Sequence, residues 1–236
     1  MSELALPGLT GPGIAALAAS WADGGLWNDI QLLADRFFDA SEAEKPFRWH
    51  HLVMAVGNFK RQGNRRLRPN LLALPPHSSE HPTRPSTFVV PSGGTLAEED
   101  PASWAALMHG LTGAAVPTTT TLLAALWPDS HFVYDWRVHQ AANGLRAAAS
   151  LPTTADVTAA GSTAGMNTLD HYGIVRGWLL QAASDSGESL PDVERALYRL
   201  SQKVKSVPGR TWTDYGARLA EAAADALSVA APAQLQ

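Results

Sequence analysis

Residues 110–145 read GLTGAAVPTTTTLLAALWPDSHFVYDWRVHQAANGL, and they decide how the chain is understood. Taken as one unit they begin with the end of a helix and a Gly-bearing turn. A short helix follows over Thr118 to Leu126, then the connector Trp127-Pro128-Asp129-Ser130-His131. An apolar extended run, Phe132-Val133-Tyr134, leads to Asp135, which stands where a second helix opens and continues to about Ala148. Asp is among the best N-caps because its carboxylate accepts a bond from an otherwise orphaned helical N–H.

Working outward, the spacing on both sides is helical. Ile14, Leu17 and Ala18, then Ile30, Leu33, Ala34, Phe37 and Phe38, recur at intervals of three and four and so mark one helical face. A further helix is predicted around Phe47 to Phe59, running into the basic stretch FKRQGNRRLRPN at residues 59–70. Residues 74–87 are proline-rich and irregular. Thr87 to Pro91 forms a short extended piece ended by Ser92-Gly93-Gly94, and Asp100 to His109 is helical again with Pro101 in its first turn. Beyond residue 150 a Thr/Ala/Ser/Gly-rich loop precedes helices at His171 to Ala183, Pro191 to Val204 and Thr211 to Val229. No repeat, heptad array or strand–helix alternation is present, so the expectation is an all-α, bundle-like fold, with room for two lobes. The natural division is an N-terminal region, 1–99, carrying the basic segment and Pro-rich loop, and a second helical region, 100–236.

Composition narrows the class. With 236 residues, 45% hydrophobic and 17% charged, the chain is globular and long enough to bury a substantial core. Cysteine is absent, which excludes disulfides, thiolate nucleophiles and zinc–thiolate sites. No basic leader precedes an apolar h-region and no apolar run reaches the roughly 18 residues of a membrane span, so a soluble, cytoplasmic monomer is expected. The formal net charge is -4. Against that background Lys60, Arg61, Arg65, Arg66 and Arg68 place five of 18 basic residues within nine positions, a concentration suited to phosphate contacts as well as to a solvated loop. His50 and His51 are adjacent and diverge on a helix, and no Walker or dinucleotide glycine motif occurs; neither a metal nor a cofactor is expected.

Around Asp135 lie further candidates. Trp127, Tyr134 and Trp136 offer aromatic faces, for stacking or for core packing. His131 and His139 fit base-edge or phosphate contacts, and Arg137, two residues beyond Asp135, suits a phosphate or the carboxylate itself.

The unit 110–145 resembles the helix-hairpin-helix superfamily of DNA base-excision glycosylases. In that family a hairpin with a Gly-rich turn grips a DNA phosphate, and beyond it an Asp follows a short apolar run and opens a helix. Here the hairpin corresponds to Trp104 to Leu126 and the Asp to Asp135. More narrowly, WPDSHFVYDWRV (127–138) and SLPDVERALYRL (189–200) resemble bacterial proteins described as having an 8-oxoguanine glycosylase fold. The likeness spans roughly residues 100 to 205. Where the family's turn reads Gly-x-Gly, this chain has Gly113-Ala114-Ala115-Val116-Pro117. Bifunctional members carry a Lys about where Thr118, Thr119 and Thr120 stand, and a hydroxyl cannot form a Schiff base with the sugar.

The resemblance implies a monofunctional DNA glycosylase acting on a damaged or modified base flipped from double-stranded DNA, in repair or in defence against foreign DNA. Asp135 would be the catalytic carboxylate. Trp127, Tyr134, Trp136 and His139 would form the base pocket. Lys60, Arg61, Arg65, Arg66, Arg68, Thr118, Thr119 and Arg137 would hold the DNA. The alternative is a non-catalytic helical DNA-binding or interaction protein that keeps the fold.

Overall fold

The computed structural model describes residues 5–20, 26–61, 84–91, 93–111, 114–154, 168–204 and 212–230. Among them are nine helices and one two-stranded antiparallel sheet, and these residues are mostly helical. The chain divides into two compact units, one of Met1–Ala22 with Phe132–Gln236 and the other of Asp23–His131. The expected division after residue 99 falls inside the second unit. The reason lies at the start of the helix Pro101–Gly110, where Trp104 Nε1 donates to Ala97 O at 3.0 Å and Ser103 Oγ accepts from Ala97 N at 3.1 Å.

The unit Asp23–His131 begins with α2 (Leu26–Phe38), since α1 (Gly11–Ala19) belongs to the other unit. Ile30, Leu33, Ala34 and Phe37 form the expected apolar face of α2 and are wholly buried against α3 (Lys45–Arg61) and α5 (Val116–Leu126). Phe37 centres an aromatic cluster with Phe38, Trp49 and Phe88 at centroid distances of 5.1–5.4 Å. Phe88 comes from β1 (Thr87–Val89), which pairs with β2 (Thr95–Ala97) in the register Phe88↔Leu96. Gly93 and Gly94, at φ 92° and 95°, close that hairpin in a conformation side chains rarely adopt. α4 (Pro101–Gly110) is capped by Asp100, whose carboxylate accepts from Ala102 N and Ser103 N. In α5 the threonines are tolerated because two hydroxyls return to the preceding turn. Thr120 and Thr121 both donate to Pro117 O, at 3.2 and 2.6 Å. At the other end Arg84 donates to the orphaned carbonyls of Ala125 and Leu126 at 2.6 and 3.0 Å while paired with Asp35.

The other unit packs α1, α6 (Trp136–Ala148), α7 (Leu169–Ser186), α8 (Leu190–Lys203) and α9 (Trp212–Ala230). Val193, Ala196, Leu197 and Leu200 form the predicted buried face of α8, which lies against α1, α6, α7 and α9. α6 and α9 touch backbone to backbone where Gly144 meets Gly216. A Cβ on Gly216 would be driven into the Gly144 carbonyl and to 2.9 Å from Ala148 Cβ. No helix among the described residues is long and apolar enough to cross a membrane.

Candidate functional site at the start of α6

Phe132, Val133 and Tyr134 are buried and belong to neither a helix nor a strand. Val133 N donates to Glu194 Oε2 of α8 at 2.9 Å, which ties this entry segment to α8. Phe132, Tyr134 and Tyr172 pack ring to ring at 5.2–5.8 Å, so the backbone immediately before Asp135 is anchored on both sides. Asp135 then adopts φ −107°, ψ 152°, and its Oδ1 accepts from Arg137 N at 2.9 Å. This is the N-cap geometry expected of the residue. The carboxylate is a quarter exposed, and both of its contacts, the second being Arg137 Nη1 at 3.9 Å, fall on Oδ1. Asp135 Oδ2 has no hydrogen-bond partner among the described residues.

Arg137 Cζ lies over two rings, 4.3 Å from the Trp136 centroid and 5.2 Å from that of Tyr198 on α8. Its partial exposure leaves the guanidinium able to meet an anion, and its stacked position removes much of the rotamer freedom an arginine would otherwise lose. The N-terminus of α6 adds the positive end of a helix dipole. A partly exposed carboxylate, a stacked guanidinium and a helix N-terminus therefore converge on four residues, 134–137.

Inward along the same face run Asp135, His139 and Asn143, at i, i+4 and i+8. Tyr134 Oη meets His139 Nδ1 at 2.7 Å, and Asn143 Nδ2 donates to His139 O at 2.9 Å. Asn143 Oδ1 accepts from Thr154 N at 2.9 Å and Thr154 Oγ1 at 3.2 Å. His139 is wholly buried, and burial, with a smaller contribution from the charge of His171, lowers its pKa to about 4. Burial likewise raises the Tyr134 phenol above its ordinary value. His139 Nε2 has no hydrogen-bond partner among the described residues, and neither has either amide atom of the buried Gln140 beside it. Asn143, Thr154, Glu194 and Tyr198 were not singled out from sequence. Only Asn143 carried a readable signal, its helical spacing from Asp135 and His139.

The other predicted residues fall as follows. Tyr134, Trp136, Arg137 and His139 share the unit of Asp135. Tyr134 is committed to packing and to His139, and Trp136 lies half-buried beneath Arg137. Trp127, Thr118, Thr119 and His131 belong to the unit Asp23–His131. Trp127 is 3% exposed, donates from Nε1 to Pro85 O at 2.9 Å and packs on Phe88, so its faces are taken up by core. Thr118 is half-buried. Thr119 is fully buried with its hydroxyl unpartnered among the described residues, inside α5 and not on its surface. His131 is buried between Trp104 and Trp127 with Nε2 2.8 Å from Glu98 O. Lys60 and Arg61 are the last residues of α3; Arg65, Arg66 and Arg68 lie outside the described residues, as does Gly113 of the hairpin turn. No group of three or more His, Asp or Glu among the described residues is placed to hold a metal ion.

Compared with protein-family models, curated proteins and solved structures, the chain matches none of them.

Proposed function

We propose that this protein is a monofunctional DNA N-glycosylase that hydrolyses the bond between deoxyribose and a damaged or modified base, with Asp135 as its catalytic carboxylate. The observation that carries the reading is the state of Asp135. Its Oδ1 is pinned by Arg137 N, its Oδ2 is unengaged among the described residues, and the group is neither fully buried nor fully solvated. A carboxylate fixed in this way stabilises an oxocarbenium-like sugar as it develops. Water loses a proton to Asp135 as its oxygen bonds to C1′ and the C1′–N bond breaks toward the base; the departing base takes up a proton from solvent, and Asp135 then returns its own to solvent. Arg137 supplies a stacked cation for a neighbouring phosphate. The basic stretch from Lys60 to Arg68, with the hairpin helices α4 and α5, supplies sequence-independent backbone affinity.

The rival reading, a non-catalytic helical DNA-binding protein, is favoured by the same cap bond, because a cap needs no further role. Product chemistry separates the two. Incubated with duplexes that each carry one modified base, the protein should leave abasic sites that become strand breaks only after added alkali or heat. Borohydride should trap no covalent enzyme–DNA adduct, since threonines occupy the positions of a lyase lysine. Duplex binding with no abasic product from any duplex supports the rival, and an efficiently trapped adduct places the nucleophile elsewhere.

A further inference from the structure

The sequence of α3, KPFRWHHLVMAVGNFKR, holds four Lys or Arg and two His but no Asp or Glu. Trp49, Leu52, Ala55 and Val56 are buried and commit one side of the helix to the core of the unit Asp23–His131. The opposite side presents Phe47 and Met54, both exposed, with exposed His50 between them. Arg48 stands at the edge of that side and is partly exposed. Its Nη1 is enclosed and has no hydrogen-bond partner among the described residues, while Nη2 faces exposed Glu44, 3.9 Å from Oε1. That pair is loose because Ser41 N and Oγ hold the other carboxylate oxygen of Glu44. The His51 ring lies 4.1 Å from that of Phe47 and Arg48 Cζ lies 5.8 Å from it, so Phe47 gathers both basic groups at one end of the helix. Burial, then the charges of Arg48 and His50, lower the His51 pKa; burial, then the charge of Arg48, lower that of Arg36 on α2. Basic groups of two packed helices are therefore held together against their repulsion, and an arriving anion relieves it. We propose that the outward side of α3, with Arg48 and His51 at its N-terminal end, binds the phosphate backbone of duplex DNA.

The inference rests on the duplex-binding part of the reading above and not on Asp135. Two observations favour a duplex backbone over other anions. Basic positions run along α3 from Arg48 to Arg61, about 20 Å at 1.5 Å per residue, a length that meets several phosphates of one strand and exceeds what a lone phosphate uses. The main apolar side of α3 is already buried in protein, so Phe47 and Met54 alone offer too little apolar surface to insert into a bilayer. Glu44 supplies a control within the same site. It closes a capping box with Ser41, a role that Gln also fills, and its charge stands beside Arg48, where it opposes an arriving phosphate.

The test measures binding of the full chain to a short unmodified duplex by fluorescence anisotropy over a range of salt concentrations, with thermal melts alongside. Arg48→Gln should weaken binding about tenfold and reduce the salt slope by about one, the share of a single phosphate contact. Glu44→Gln should melt like wild type and bind the duplex severalfold more tightly. A Glu44→Gln variant that binds no more tightly overturns the inference, whether or not Arg48→Gln folds. A folded Arg48→Gln with wild-type affinity and salt slope overturns it as well. Phosphatidylserine vesicles or polyglutamate, bound as tightly as the duplex at equal charge and weakened by Arg48→Gln, would assign the surface to a membrane or an acidic protein instead. Base release from modified duplexes is followed on the same preparations. Release by wild type, with both variants binding as it does, removes α3 from the interface and leaves Asp135 in place. The expected change in both variants, with no release from any duplex, keeps α3 and removes catalysis.

Discussion

Acid should unfold this protein partly through one residue, and replacing His139 with Gln should remove that part. In the folded chain burial lowers the His139 pKa from its ordinary 6.5 to about 4. The unfolded chain therefore takes up a proton near pH 6.5 that the folded chain refuses until about pH 4. Stability from this group is fully present above pH 6.5 and is lost as the pH falls through the window between the two values. The slope within the window is about 1.4 kcal/mol per pH unit, so the loss on reaching pH 4 is about 3 kcal/mol, a large fraction of a typical domain's stability. The assay is urea unfolding at pH 7.5, 6.5, 5.5 and 4.5 for wild type and His139→Gln. The variant starts lower at pH 7.5 because it disturbs the bond with Tyr134. Its stability should nevertheless fall less steeply with acid, so the two profiles converge. Parallel profiles would show that His139 titrates normally in the folded state, and the buried neutral imidazole would have to be abandoned.

Two other expectations follow from packing and charge. Gly216→Ala should destabilise by about 2 kcal/mol or more, since the new methyl collides with the Gly144 backbone and neither helix can yield alone. Gly173→Ala on α7, where a Cβ meets open space, should instead stabilise by about 0.5–1 kcal/mol, and thermal melts of both variants check the contrast. Duplex affinity should fall steeply with salt, and the triple change Arg65→Ala, Arg66→Ala and Arg68→Ala should flatten that dependence; identical salt slopes would remove the basic segment from the interface.

Helices with a clear apolar period were legible before any coordinates. The buried stripe Val193, Ala196, Leu197 and Leu200 and the face Ile30, Leu33, Ala34 and Phe37 lie where spacing placed them, because burying one face of a helix leaves a period in the sequence. The second strand, Thr95–Ala97, was not legible: three residues are too few for alternation to show, and its pairing depends on the turn at Gly93 and Gly94. The start of α5 at Val116 rather than Thr118 was missed for a related reason. Its N-cap, Ala115, makes no side-chain bond and so carries no start signal. Asp135 was readable as a cap from its place between an apolar run and a helix. The committed state of Trp127 was not, because what occupies its faces comes from Pro85 and Phe88, about forty residues earlier in the chain. In the polar line through His139, Asn143 and Thr154 the i, i+4 spacing of the first two was readable, whereas the bond from Thr154 was not, because a residue beyond the end of α6 carries no helical period.

Everything proposed about catalysis depends on Asp135 being more than a helix cap, and substitution separates the two roles. Asn accepts the Arg137 N–H about as well as Asp, so Asp135→Asn should melt close to wild type, whereas Asp135→Ala should lose about 0.5–2 kcal/mol. The ion pair with Arg137, at 3.9 Å and partly solvated, adds little to that difference. As the group that stabilises a developing sugar cation, Asp135 acts through its full negative charge. Neutralising it should slow single-turnover base release by roughly 10²-fold or more while duplex binding persists. The decisive measurement is therefore single-turnover release by Asp135→Asn on whichever modified duplex the wild type cleaves, with melts of the same preparations. A native-like melt with release slowed at least about a hundredfold is expected; a native-like melt with wild-type release would reduce Asp135 to a cap.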